Sequence, residues 1–256
     1  MGSGVASLPI DIQVVSHGHD DCLPLLLDDI EVGRCNLFVA ENLASSKLQI
    51  SPRADLHFVR NESEVGFAEN HNRLASLGHA EFIAILNPDL RIPAGVWEGL
   101  LPYFDDPGVA VVAPRVYSPR GTVEDNARFV VTPLRFLRRV MRYPDVTLDY
   151  PDITRPCEPD WVAGLFMLVR RRAFEDLGGF DVGFRLYCED VDFCIRAWLG
   201  GCKILCVPGE GVTHAARRAS RSNFTHFLWH LSSMFRLWRS PGWRRFVGWN
   251  RGISEV

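Results

Sequence analysis

Three observations predict an α/β fold: a mostly parallel sheet flanked by helices, with a basic helical tail at the C-terminus. Over the first two-thirds of the chain, short β-branched or apolar runs alternate with helix-period segments, the pattern of βαβ units. Each run ends in a polar cluster, where ligands of open α/β sheets bind. Hydrophobic residues make up 47% of the 256 and charged residues 23%. That balance supports a full core without disulfide or structural metal.

In chain order, the strands expected are Ile10–Ser16, Asn36–Glu41, Leu56–Arg60, Phe82–Leu86 and Val109–Pro114. Between them Asp20–Glu31, Gly66–Leu77 and Pro93–Phe104 read as helices, the second through its apolar or small residues Phe67, Ala68, Leu74, Ala75 and Leu77, the third through a proline suited to a first turn. From Tyr117 to Pro159 the periodicity breaks, which predicts a substrate-side insertion or flap. Order returns with a strand at Trp161–Arg171, a helix at Arg172–Leu177, a Gly178-Gly179 turn, a helix at Glu189–Leu199 and a strand at Lys203–Val207. Residues 1–213 make the domain and 214–256 the tail, most simply as one structural unit.

Charge is unevenly spread. Residues 211–256 hold eight arginines (217, 218, 221, 236, 239, 244, 245, 251) against Glu255, a net +7; residues 1–210 hold 20 bases and 30 acids, a net −10. In Asn223–Arg239, Phe224, Phe227, Leu228, Leu231, Met234, Phe235 and Trp238 recur at helical steps, and Trp243, Phe246 and Trp249 follow among arginines. Such a face lies on an anionic membrane surface or packs against the domain or a second subunit in a homodimer. An acidic body without a recognised binding motif argues against nucleic acid. Seven cysteines, odd in number and without a CxxC pair or signal peptide, read as reduced thiols of a cytoplasmic protein.

Neither GxGxxG nor GxxxxGK[ST] follows the first strand, where Ser16-His17-Gly18-His19-Asp20 stands instead. A bound diphosphate would therefore need another neutraliser, such as a divalent cation on a carboxylate. Asn87-Pro88-Asp89, delivered to the sheet edge by Phe82–Leu86, offers one; the same turn could simply cap the next helix. Glu189-Asp190-Val191-Asp192 places acids at a helix start, where they serve either as caps or as a base. His214 follows the strand Lys203–Val207 after a glycine-containing turn.

The ordered series resembles the family-2 inverting glycosyltransferases of the GT-A fold, particularly the bacterial rhamnosyltransferase-like members. It comprises Val39-Ala40-Glu41-Asn42 with Ser45, Asn61 with Gly66-Phe67-Ala68-Glu69-Asn70-His71-Asn72, Leu86-Asn87-Pro88-Asp89, the run Val162–Arg170, Gly178-Gly179-Phe180-Asp181, Glu189-Asp190-Val191-Asp192, and His214 before Ser220. The resemblance implies a nucleotide-binding sheet with Ser16, Glu41 and Asn72 lining the nucleoside pocket. Asp89 would bind Mg²⁺ or Mn²⁺ at the donor diphosphate, with Asn87 at the first position of an Asp-x-Asp motif, and His214 would close over the cation or phosphates. Asp190 would be the base, Glu189 its support or the acceptor's guide, and Trp161 an apolar wall for a sugar ring. The implied activity is transfer of a sugar, by preference L-rhamnose from dTDP-L-rhamnose, to a lipid-linked glycan acceptor by an enzyme peripheral to the inner face of the cell membrane. A UDP-hexose donor, or a non-catalytic domain that binds a nucleotide sugar or a partner, are the alternatives.

Overall fold

A computed structural model describes residues 7–141, 148–151, 153–215 and 224–253. In chain order the strands are β1 (Ile10–Ser16), β2 (Asn36–Glu41), β3 (Leu56–Arg60), β4 (Phe82–Leu86), β5 (Leu90–Arg91), β6 (Val109–Tyr117), β7 (Ala127–Arg128), β8 (Trp161–Val162), β9 (Phe166–Arg170) and β10 (Lys203–His214). The helices are α1 (Leu23–Asp28), α2 (Phe67–Ala75), α3 (Val96–Leu100), α4 (Pro133–Met141), α5 (Arg171–Asp176), α6 (Glu189–Leu199), α7 (Phe224–Arg239) and α8 (Pro241–Ile253).

Eight strands form one sheet in the order β3-β2-β1-β4-β9-β6-β10-β5, and β7 pairs with β8 in a small second sheet. Pairings β3–β2–β1–β4 and β6–β10 are parallel; β9 runs antiparallel to both β4 and β6, and β5 to β10. Both faces are covered, so central strands are apolar on both sides. In β4, Phe82, Ala84 and Leu86 join the core under α1 and α3, whereas Ile83 and Ile85 join the core under α2, α5, α6, α7 and α8. That period of two sorts one strand into two cores. Asp11 on buried β1 is held by Arg171 at the start of α5, by the Ala80 amide (2.9 Å) and by Asn36 (2.8 Å).

Four expected elements change shape. The helix expected over Pro93–Phe104 is α3 followed by a 3-10 turn, Leu101–Asp105, because Gly95 takes φ +84° before it and Pro102 interrupts the α-helical bonding. The strand expected over Trp161–Arg171 breaks at Ala163–Leu165, so β8 pairs with β7 and β9 enters the main sheet. β10 continues past Val207 through an irregularity to His214, which therefore ends a strand rather than following one. The flap contains β7 and α4, both too short to set a clear period in the sequence.

The tail is helical and shares the domain's core. Met234, Leu237 and Phe246 are buried in it, and the indoles of Trp238 (2.8 Å) and Trp243 (3.3 Å) both donate to the Val131 carbonyl. The face that suits either a membrane or a core is thus divided: Met234 and Phe246 are core, whereas Phe227, Leu228, Phe235 and Trp249 are about half exposed. Residues 217, 218, 220 and 221 lie outside the described residues.

Candidate active site

The site forms along the carboxyl edge of the sheet. At the β1–β2 end, fully buried Ser16 donates its hydroxyl to Glu41 Oε2 at 2.7 Å, and Glu41 Oε1 accepts the Leu43 amide at 2.9 Å. Parallel pairing sets Ser16 opposite Glu41, which puts both at the same level of the edge. Beside them Asn42 Oδ1 accepts from Asn61 (2.9 Å), Asn70 (3.2 Å) and the Val65 amide (3.0 Å), and Asn61 donates to Asn70 at 2.8 Å. Arg73 closes the network on Asn61 Oδ1 at 3.0 Å. Of these, only Ser16 and Glu41 are assigned a site role from the sequence; Asn42, Asn61 and Asn70 stand in the motif series, but their meeting from two strand ends and a helix is visible only in the fold.

Asn72 is turned elsewhere. Its carboxamide donates to the Phe180 carbonyl (2.8 Å) and accepts the Phe180 amide (2.9 Å), so it latches α2 to the Gly178-Gly179-Phe180 turn instead of facing the Ser16–Glu41 edge. Gly179 is required there: it has φ +70°, and a Cβ would sit 2.5 Å from Asn72 Oδ1.

At the end of β4, Asp89 is buried and its Oδ1 makes no hydrogen bond. His214 Nε2 stands 3.3 Å from that oxygen, while its Nδ1 is 2.7 Å from Glu124 Oε2. Pairing of His214 with Leu90 across β10 and β5 holds the two together. Burial opposes charging the imidazole, but Asp89 and Glu124 outweigh it and lift its pKa to about 9. Burial likewise opposes charging Asp89, and His214 reverses that, holding the carboxyl below its usual range. Asn87 is partly exposed and its carboxamide makes no hydrogen bond among the described residues.

The orphaned oxygen tests whether a divalent cation fits. That buried oxygen makes no well-formed hydrogen bond and has only the His214 ring within 3.3 Å, so it has a lone pair free for a further ligand. An imidazole oriented by a carboxylate on its far nitrogen is the usual arrangement of a histidine ligand. No group of three or more metal-ligating side chains occurs among the described residues. Mg²⁺ or Mn²⁺ at a phosphate site needs only one or two protein ligands, so the pair fits a cation shared with a ligand's phosphates.

The acidic pair opens α6. Asp190 is partly exposed, and its two oxygens accept the Gly164 amide (2.9 Å) and the Val191 amide (2.8 Å). Glu189 is buried with Oε2 unpaired. Burial, then the charge of Asp190, pushes Glu189 up to about 8; burial also raises Asp190, against the amides of Gly164 and Val191 and the charge of Arg128. The preceding residues, Tyr187 (φ +72°) and Cys188 (φ +69°), hold left-handed conformations unusual for side-chain-bearing residues.

Trp161 lies beside this pair, buried, its indole donating to the Phe129 carbonyl (3.0 Å) and its ring 5.0 Å from the Arg128 guanidinium. Arg128 and Glu124 are the site residues the sequence conceals: both sit in the aperiodic segment, and a two-residue strand leaves no pattern. A groove of about 790 Å³ along α7, lined by Asp181, Phe184, Phe235, Arg236 and Arg239, contains none of these residues.

One path joins the two acidic centres. The Asn87 amide donates to the Leu165 carbonyl at 2.8 Å, and the adjoining Gly164 amide binds Asp190. The β8–β9 connection thus sets Asp190 against the strand end that carries Asp89. The model of glycosyl transferase family group 2 matches residues 82–245, from β4 to α8. The chain belongs to that family. It is 29% identical over 240 residues to the rhamnosyltransferase WbbL of Escherichia coli K12, covering 88% of this chain and 90% of that one. It is 30% identical over 177 residues to the N-acetylglucosaminyl-diphospho-decaprenol L-rhamnosyltransferase of Mycobacterium tuberculosis, covering 64% of this chain and 58% of that one. Staphylococcus aureus TarS 1-349 in complex with UDP-GlcNAc superposes with a TM-score of 0.62 at 15% identity, over 91% of this chain and 67% of that one. The Pyrobaculum calidifontis mannosyltransferase PcManGT, in complex with GDP-Man and Mn²⁺, gives 0.59 at 17% identity over the same shares. The fold of this family-2 chain is GT-A and the chain is a glycosyltransferase.

Proposed function

We propose that the chain transfers L-rhamnose from dTDP-L-rhamnose to a lipid-linked glycan acceptor with inversion at the sugar carbon. The observation that carries this is the hydrogen-bonded path from Asn87 through Leu165 and Gly164 to Asp190, which sets a base beside a diphosphate-binding strand end. The names of the Escherichia coli and mycobacterial relatives support the rhamnosyl donor, and the mycobacterial name supports a lipid-diphosphate acceptor. A UDP-hexose donor is the alternative.

Ser16 and Glu41 contact the nucleoside at the β1–β2 edge, and Asn87 reaches the donor beside Asp89. Asp89, with His214 oriented by Glu124, would hold Mg²⁺ or Mn²⁺. When bound, that cation offsets the charge developing on the departing nucleoside diphosphate. Asp190 takes the proton of the acceptor hydroxyl as that oxygen attacks the sugar. The two amides on Asp190 fix its carboxylate, and Glu189 behind it orients the pair. Trp161 walls the sugar and Arg128 adds positive charge near Asp190. Lipid-linked acceptors place the enzyme peripherally at the cytoplasmic face of the membrane; among the described residues no helix is long and apolar enough to cross one.

The test is a donor panel with Mg²⁺ or Mn²⁺, read first by thermal shift and then by transfer to a polyprenyl-diphosphate sugar. A ligand at 100 times its dissociation constant adds about 2.7 kcal/mol, so the true donor stands out. Stabilisation by dTDP-L-rhamnose with transfer is the expected result. Stabilisation without transfer or hydrolysis would leave a binding module.

A further inference from the structure

The geometry points to α4 as a docking helix for an anionic lipid bilayer, seated at the acceptor side of the site; the proposal rests on the lipid-linked acceptor reading only for its purpose. Helix α4 (Pro133–Met141) lies in the segment whose sequence is aperiodic overall. Thr132 starts it, its hydroxyl accepting the Arg135 amide at 3.2 Å. The inner face is fastened by Phe136, whose ring meets His230 (6.3 Å) and Trp238 (5.9 Å) of α7. The opposite face has no partner among the described residues: Leu134, Leu137 and Met141, spaced three and four residues apart, are 56%, 51% and 67% exposed. Single exposed leucines need no explanation, but three on one face of a nine-residue helix do.

Charge selects the occupant. The helix contains Arg135, Arg138 and Arg139 and no acid. Arg135 stacks on Phe129 and faces Asp149 at 3.5 Å, which leaves Arg138 exposed on the outer face among the leucines. An apolar stripe flanked by arginine and free of acids suits the interface of an anionic bilayer, with the apolar chains at acyl depth and the guanidinium among phosphates.

Position gives the helix its purpose. Just before it, Phe129 holds the Trp161 indole, and Arg128 acts on Asp190. His230, which Phe136 touches, packs on Tyr187 at 5.0 Å, two residues before Glu189. A bilayer under α4 would therefore lie beside the base, where an acceptor anchored in that bilayer must present its hydroxyl.

The test uses the full chain and sedimentation with phosphatidylcholine vesicles, with and without phosphatidylglycerol. Leu134→Ser, Leu137→Ser and Met141→Ser together touch only exposed positions, so the fold should persist, checked by unchanged melting and donor binding. The wild type should pellet with anionic vesicles and the triple variant should partition about tenfold less or weaker. Arg138→Glu should lose the increment due to phosphatidylglycerol alone. Equal pelleting of wild type and triple variant, no pelleting of the wild type, or a dimer dissociated by the triple substitution without any vesicle effect would overturn the proposal. If pelleting depends on α4 but transfer occurs only to water-soluble acceptors, the docking helix stands and the lipid-linked acceptor falls.

Discussion

The two ends of the catalytic edge are built differently. At the β1–β2 end every buried polar side chain of the Ser16, Glu41, Asn42, Asn61 and Asn70 group is hydrogen-bonded to another group of the protein. At the β4–α6 end Glu189 Oε2 is buried without a hydrogen bond, Asp89 Oδ1 has only the His214 ring at 3.3 Å, and two consecutive left-handed residues lead into the acidic pair. A satisfied network rigidifies its surroundings, whereas an unsatisfied buried carboxylate raises the energy of the empty protein. The first end is therefore a finished shape, ready for the nucleoside proposed to bind there. The second end is an arrangement that becomes favourable only when a cation, a hydroxyl or a proton reaches it.

If that contrast holds, substitutions at the two ends should fail in different currencies: rate at the acidic end, stability at the paired end. The largest effect is expected for Asp190→Asn. It keeps the shape and can still accept the Gly164 amide, but it cannot take a proton, so transfer should fall by roughly 10²–10⁴-fold with donor affinity retained. Single-turnover transfer beside donor titration measures both. A dead Glu189→Gln with an active Asp190→Asn would exchange the two roles.

Asn42→Ala is the matching substitution at the paired end. It removes an acceptor shared by Asn61, Asn70 and the Val65 amide; Asn61 and Asn70 each keep another acceptor, while the Val65 amide is left bare, at about 1–3 kcal/mol for a buried unpaired group, with the lost Asn42 bonds in addition. A fall in melting temperature of about 10 °C is expected, far more than for Asp190→Asn. Equal melting of the two variants would remove the distinction. Glu124→Gln is a smaller change at the acidic end: it weakens the orientation of His214, and Mn²⁺ affinity in the presence of nucleoside diphosphate should drop about 10–100-fold. Titration of bound Mn²⁺ by electron paramagnetic resonance reads this directly.

The sequence reveals the β1–β4 half well because its strands are runs rich in apolar and β-branched residues closed by polar ends; their bounds agree with Ile10–Ser16, Asn36–Glu41, Leu56–Arg60 and Phe82–Leu86. The acidic residues Asp89, Glu189 and Asp190 are legible because each stands at the end of a periodic element. Arg128 and Glu124 are not, since a two-residue strand and its approach leave no pattern, and helix α4 is a short amphipathic run, Leu134, Leu137 and Met141, lost within a proline-rich segment that is aperiodic as a whole. Asn72 misleads for a related reason: its place in a motif says which helix carries it, while the turn at Gly179 decides what its amide bonds. The tail's aromatic face has the same pattern for a bilayer as for a core, and only the Val131 carbonyl, which receives two indoles, separates them.

The smallest effect expected is a change in how stability depends on pH. Burial and the charge of Asp190 raise Glu189 to about 8, from a carboxylate value near 4.5 in the unfolded chain. A raised acid pKa means that the folded protein prefers the protonated form. The stability this group contributes is complete below about pH 4.5 and is lost as pH rises through 8. Glu189→Gln keeps the neutral form at every pH. The variant should therefore melt with the wild type near pH 5 and progressively above it towards pH 9, by on the order of 1–2 kcal/mol once relaxation and water entry reduce the penalty. His214, raised to about 9, also makes the protein lose stability as pH rises from its unfolded value near 6.5, but it is present in both proteins and drops out of their difference. A difference that stays flat across this range would mean that Glu189 is already ionised in the folded protein. Its unpaired oxygen would then be hydrated, and the contrast between the two ends of the edge would shrink to Asp89 alone.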